Sequence, residues 1–145
     1  SQLGTFRLRE KYAGGVPTPA ATSLSYMWPK KVPQGLVIRK AKSSAGPTMF
    51  TLALEDPAGG QFYATVTGGP DSTATNPPAR GTAIVVRGQP GTLFTTGAGY
   101  SVFWREAGQP YAVVGGLPRE DALALAESLE PLDLATWSAR LQALP

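Results

Sequence analysis

The chain has 145 residues, 42% of them hydrophobic and 16% charged, with a formal charge of +3; this suffices for one globular domain with one buried core and is too slight a positive excess to point to nucleic acid. Cysteine and histidine are both absent, which excludes thiolate and Ser–His nucleophiles, an imidazole base and zinc centres built on those ligands. With 17 glycines and 14 prolines, many turns and short elements are expected, so a β-rich chain is favoured over a helical bundle.

The chain starts at Ser1 without Met, which reads as a processed or shortened protein. No apolar run reaches the roughly 20 residues that span a bilayer, and no signal-peptide pattern remains; a membrane anchor is therefore expected only upstream. Residues 1–25 read as an irregular segment in which Thr5-Phe6-Arg7-Leu8-Arg9-Glu10 alternates like an edge strand, followed by a Gly/Pro-rich linker or loop from Ala13 to Ala20. Ser25 to Pro29 is an aromatic cluster, and Lys30 to Gly35 a second irregular piece held extended by its prolines.

Leu36 to Lys42 is predicted as a strand, with Leu36, Ile38 and Lys40 on one face. Met49 to Glu55 and Gln61 to Thr67 form a predicted hairpin about Asp56-Pro57-Ala58-Gly59-Gly60, because turn residues separate two alternating runs. Gly68 to Gly81 has no periodicity and is dominated by turn formers, the composition of a mobile surface loop dispensable for folding. Ala83 to Arg87 is apolar on both faces and reads as a central strand, and Leu93 to Thr96 as another. Tyr100 to Arg105 alternates with period two, turns at Glu106 to Pro110, and resumes at Tyr111 to Val114.

A helix is predicted from Pro118 to Leu129, with Leu117 at its cap and Glu120 and Asp121 favourably placed at the positive end of its dipole. Its apolar stripe is Ala122, Leu125, Ala126 and Leu129, expected to seal one sheet face against Val102, Trp104 and Val113; Glu127 faces away. Pro131 ends it. Asp133 caps a second helix with the stripe Leu134, Trp137 and Leu141. The whole chain, 1–145, thus reads as a single α+β domain: an antiparallel sheet of short strands with C-terminal helices packed on one face.

No phosphate loop, dinucleotide fingerprint or nucleophile elbow occurs. The adjacent acids Glu55-Asp56 and Glu120-Asp121 stand at a turn and at a helix start, places that attract acids without catalysis. The basic run Lys30, Lys31, Arg39, Lys40 and Lys42 fits either contact with an anionic surface or a lysine-guarded sheet edge. Tyr26, Trp28, Phe50 and Phe62 are the candidates for lining a site for an apolar ligand. They belong to a wider aromatic set with Met27, Phe94, Phe103, Trp104, Tyr111 and Trp137 that equally suits the core of a small domain.

Three stretches carry a likeness: Val102-Phe103-Trp104-Arg105-Glu106-Ala107-Gly108, then Tyr111-Ala112-Val113-Val114-Gly115-Gly116, then Leu123 through Ala126-Glu127-Ser128-Leu129, with Val32-Pro33-Gln34-Gly35 upstream. In these the chain resembles a bacterial extracytoplasmic domain of anti-sigma-factor-like membrane regulators, distantly similar to the outer-membrane lipoprotein carrier and its periplasmic sigma-regulator relatives. The resemblance covers about two-thirds of the chain and brings no catalytic residues and no cofactor. It implies an antiparallel sheet with helices packed on it, a location outside the cytoplasm, and a sensory or interaction role toward a protein partner or apolar ligand. The alternatives are a periplasmic carrier of lipid or lipoprotein and a hydrolase built on a carboxylate pair.

Overall fold

A computed structural model describes residues 24–58 and 62–145. The expected strand at Thr5–Glu10 and the loop after it lie outside the described residues. The chain runs β1 (Tyr26–Pro29), β2 (Val37–Ile38), a 3-10 turn (Lys40–Lys42), β3 (Ser44–Gly46), β4 (Met49–Glu55), β5 (Phe62–Gly68), a 3-10 turn (Thr73–Thr75), β6 (Thr82–Val86), β7 (Gln89–Thr96), β8 (Gly99–Glu106), β9 (Gln109–Leu117), α1 (Arg119–Ser128), β10 (Leu129–Leu132) and α2 (Leu134–Gln142). This is the α+β architecture that alternation and turn chemistry predict.

The large sheet is antiparallel, in the order β2-β4-β5-β9-β8-β7-β6, with β3 beside β4; β1 and β10 pair separately. After β5 the chain leaves for the far edge at β6 and meanders back through β7, β8 and β9 until β9 pairs with β5. The meander is set by tight turns. Arg87-Gly88 and Ala107-Gly108 both take positive φ (53° and 73°; 52° and 80°), the conformation whose twist matches a two-residue hairpin. Pro90 has no N–H to give, and the β7–β8 ladder stops one residue short of it, at Gly91 opposite Trp104.

One face of this sheet is the core. Phe50, Leu52 and Leu54 of β4, Ala64 and Val66 of β5, Val102 and Trp104 of β8, and Tyr111 and Val113 of β9 are all buried there. The helix stripe is realised as expected: Ala122, Leu125 and Ala126 of α1 and Leu129 are buried in the same cluster as Val102, Trp104 and Val113. Glu127 is exposed but not idle, for its carboxylate accepts the Arg87 backbone N–H at 2.7 Å. In α2, Asp133 caps as expected, accepting from the Thr136 N–H at 2.7 Å, and Trp137 and Leu141 are buried, whereas Leu134 is 37% exposed.

Several expectations are corrected. The cluster at Tyr26 is a strand, pairing with the stretch around Pro131 that was expected only to stop a helix; α1 ends at Ser128 with Leu129 already extended, and Pro118 rather than Leu117 caps its start. Leu36 to Lys42 gives two strand residues and then a 3-10 turn. Ala83 to Arg87 is an end strand, not a central one, with Val85 75% exposed. Gly68 to Gly81 is not a free loop: Ser72 and Ala74 are buried, and Ala74 packs on Phe103 and Ala112. The reason is topological. The connection from β5 to the far edge has to cross the outer face of β9 and β8, so it packs there.

Candidate functional site

That crossing builds a groove on the outer face of the sheet. The crossing is pinned at its start. Gly69 (φ 109°) donates its N–H to Pro110 O at 2.9 Å, and a Cβ at this position would lie 2.2 Å from Thr48 O. Thr48 Oγ1 donates to Asp71 Oδ2 at 2.7 Å, and Ser72 Oγ donates to Gly69 O at 2.7 Å while accepting the Ala74 N–H at 3.2 Å. The fixed segment forms one wall, Ala74, Thr75 and Pro77, of a groove of about 350 Å³. Pro90 and Thr92 of β7 form the opposite wall, Phe103 lies between them, and Arg105 of β8 stands at one end. A second depression of about 480 Å³ continues from it, sharing Thr75 and Arg105 and reaching Leu24, Pro70 and Pro110. Arg105 is exposed and anchored by one bond, Nη2 donating to Gly108 O at 2.8 Å. Among the described residues, neither depression is lined by an acidic one.

Three of the four candidate residues lie in the core. Tyr26, Trp28 and Phe50 come together there, at 6%, 9% and 0% exposure. Trp137 is their common neighbour, with ring centroids 6.3, 5.8 and 5.9 Å away. Phe62 lies in β5, its side chain outside the described residues. Of the wider aromatic set, Phe103 and Trp104 line the groove. Sequence reasoning did not single out Ala74, Pro77, Pro90, Thr92 or Arg105. A signal was available in the run Val102-Phe103-Trp104, apolar on both faces of one strand, which marks a sheet covered on both sides.

Among the described residues, Glu106, Glu55 and Glu130 are held in ion pairs, the last with Arg140 Nη1 at 2.7 Å. Glu106 is gripped by the Arg87 fork, Nε to Oε1 at 2.8 Å and Nη2 to Oε2 at 3.2 Å, and accepts the Trp104 Nε1–H at 3.1 Å. Glu55, whose side chain is 3% exposed, pairs with Lys42 and with Arg39 Nε at 3.2 Å. The basic run is therefore partly consumed within the protein, and Lys40 Nζ adds a bond to Gln142 O at 3.1 Å.

These pairs set the response to acid. Burial by itself raises the Glu106 carboxyl, and the Arg87 guanidinium and Trp104 N–H outweigh it, holding it below its ordinary value of 4.5. The Lys42 hydrogen bond does the same for Glu55, and the Thr136 backbone N–H for Asp133. A depressed carboxylate contributes stability that is complete above the ordinary value and lost as pH falls through the lower folded one. The melting midpoint should thus be level near neutral pH and fall below about 4.5. Glu106→Gln should start lower and show a shallower acid slope; an unchanged slope in thermal denaturation would show that this pair does not act.

The described residues include no helix long and apolar enough to cross a membrane. Comparison with curated proteins gives no match. A family model does match, over residues 26–129, and the chain belongs to that family, described as a domain of unknown function (DUF4367). The matched range opens on β1 and closes on the first residue of β10.

Proposed function

We propose that this member of the family is a non-enzymatic, extracytoplasmic interaction domain that receives a protein segment bearing apolar side chains on the outer face of its sheet, beside the crossing that covers part of it. The observation that carries this reading is the groove over Phe103. The inner face is sealed by α1 and α2, which leaves the outer face for binding. There, two rigid walls flank an apolar floor, and one basic side chain stands at the end of the groove. A side chain on an extended segment fits between Pro77 and Pro90, and a carboxylate on that segment meets Arg105. The extracytoplasmic setting, and a role in an envelope or transcription-regulating membrane protein, rest on the resemblance to anti-sigma-factor-like domains. A lipid carrier gains less support. The space between sheet and helices is filled by Trp137, Phe50, Tyr26 and Tyr111, so an acyl chain would have to displace them.

The test is titration of isotopically labelled protein with a synthetic peptide alternating Leu and Thr and ending in Glu, followed by amide chemical shifts. Shifts should concentrate at Thr75, Thr92, Phe103 and Arg105, and Thr92→Trp, which fills the groove, should abolish them. Binding that instead perturbs β1 and α2, or that survives Thr92→Trp, would refute the reading.

A further inference from the structure

Among the described residues, strand β6 ends the large sheet and pairs with β7 alone. Because its hairpin closes on the two-residue turn Arg87-Gly88, Val86 and Gln89 are the hydrogen-bonded closing pair, and Ile84 and Thr82 follow as bonded positions. Ala83 and Val85 fall between them, with N–H and C=O directed away from β7, toward the open edge. The Val85 side chain is 75% exposed, and Thr82 and Ala83 are exposed as well. The sequence of this strand, TAIVV, carries no charge, no proline and no bulge. At the opposite edge, by contrast, β2 is followed at once by Arg39, Lys40 and Lys42. Sheet edges normally carry such devices against pairing with another chain, and β6 lacks them.

We infer that β6 is a self-association edge, through which two copies of this chain pair antiparallel into a two-fold dimer with one continuous sheet. Outward-bonding positions face outward-bonding positions, so Ala83 of each copy stands opposite Val85 of the other, and Ile84 crosses Ile84 on the axis. The axis runs perpendicular to the sheet, so the outer faces stay on one side and each Val85 side chain covers Ala83 of the second copy. The same register brings the exposed Arg80, two residues before β6, opposite Gly88 of the second copy. There the exposed carboxylate of Glu127 holds the Arg87 N–H. Arg80 of one copy therefore meets Glu127 of the other at both ends of the seam, where the neighbouring Arg87 guanidinium is already paired with Glu106, a complementarity that an unrelated strand does not supply. The inference does not depend on the groove over Phe103.

Sedimentation equilibrium of the full chain from micromolar to millimolar concentration tests it, together with amide hydrogen exchange at Ala83 and Val85. A reversible monomer–dimer equilibrium is expected, with both amides protected at high concentration and exchanging fast on dilution. Val85→Lys should weaken association by about tenfold or more while leaving the melting midpoint of the dilute protein unchanged. Val85→Pro, which removes the outward N–H along with the Val85 side chain but no bond to β7, should also weaken association, and Arg80→Glu should weaken association by setting two acids together. A chain that stays monomeric at millimolar concentration overturns the proposal. So does a dimer that survives both Val85 variants, or one in which the two amides exchange freely.

Discussion

Trp137→Ala should destabilise the protein by about 3–5 kcal/mol, the usual cost of emptying a buried aromatic site, and lower its melting midpoint by roughly 10–20 °C. Trp137 is 1% exposed and donates its Nε1–H to Met27 O at 2.9 Å. Its ring touches those of Trp28, Phe50 and Tyr26, edge-on to the first two, the arrangement in which aromatic quadrupoles attract. Truncation would leave a cavity among rings too rigid to collapse into it, and would orphan a buried carbonyl on β1. Trp137→Phe, which keeps most of the volume and loses the N–H, should cost less. The comparison also bears on the domain boundary, because α2 lies beyond the range matched by the family model. A midpoint within a few degrees of wild type for Trp137→Ala would mean that α2 is not part of this core.

The second large effect is expected at Arg87. Its backbone sits at φ 53°, a conformation that costs a non-glycine residue about 1–2 kcal/mol, and its side chain makes that position worth holding. The guanidinium forks onto Glu106, and Nη1 reaches Ala126 O at 3.2 Å and Leu129 O at 2.5 Å. One side chain thus ties a hairpin turn, a strand end and the C-terminus of α1, where helix carbonyls lack internal partners. Removing one member of a buried pair typically costs about 3–5 kcal/mol because the other charge is stranded. With Arg87 12% and Glu106 23% exposed at the side chain, Arg87→Met should fall near the lower end of that range in urea denaturation. Arg87→Lys should recover little of it, since an ammonium cannot supply the fork and the carbonyl contacts together. A loss under about 1 kcal/mol would show the network to be solvated and incidental.

The strands of the meander and the stripe of α1 were legible because each depends on local alternation. Tyr100 to Arg105 and Ala122 to Leu129 state their own faces. What could not be read depends on neighbours remote in sequence. Tyr26-Met27-Trp28-Pro29 is buried at all four positions, so it shows no alternation, and its partner strand is at least 100 residues away. Ala83 to Val86 looks central because apolar residues occupy both faces, yet the topology leaves it at an end. The groove was illegible for the same reason. Its walls come from a turn-rich crossing and from β7, which only the jump from β5 to β6 brings together, whereas Tyr26, Trp28 and Phe50 drew attention as large aromatics and turned out to fill the core.

The most direct test of where this domain binds is photo-crosslinking in the producing cell, with a benzophenone side chain placed at Thr92 in the groove or at Ala124 on the exposed side of α1. Thr92 should give a discrete protein adduct that disappears when Phe103→Arg is added, and Ala124 should give none. An adduct at Ala124 with none at Thr92 would contradict binding on the outer face of the sheet.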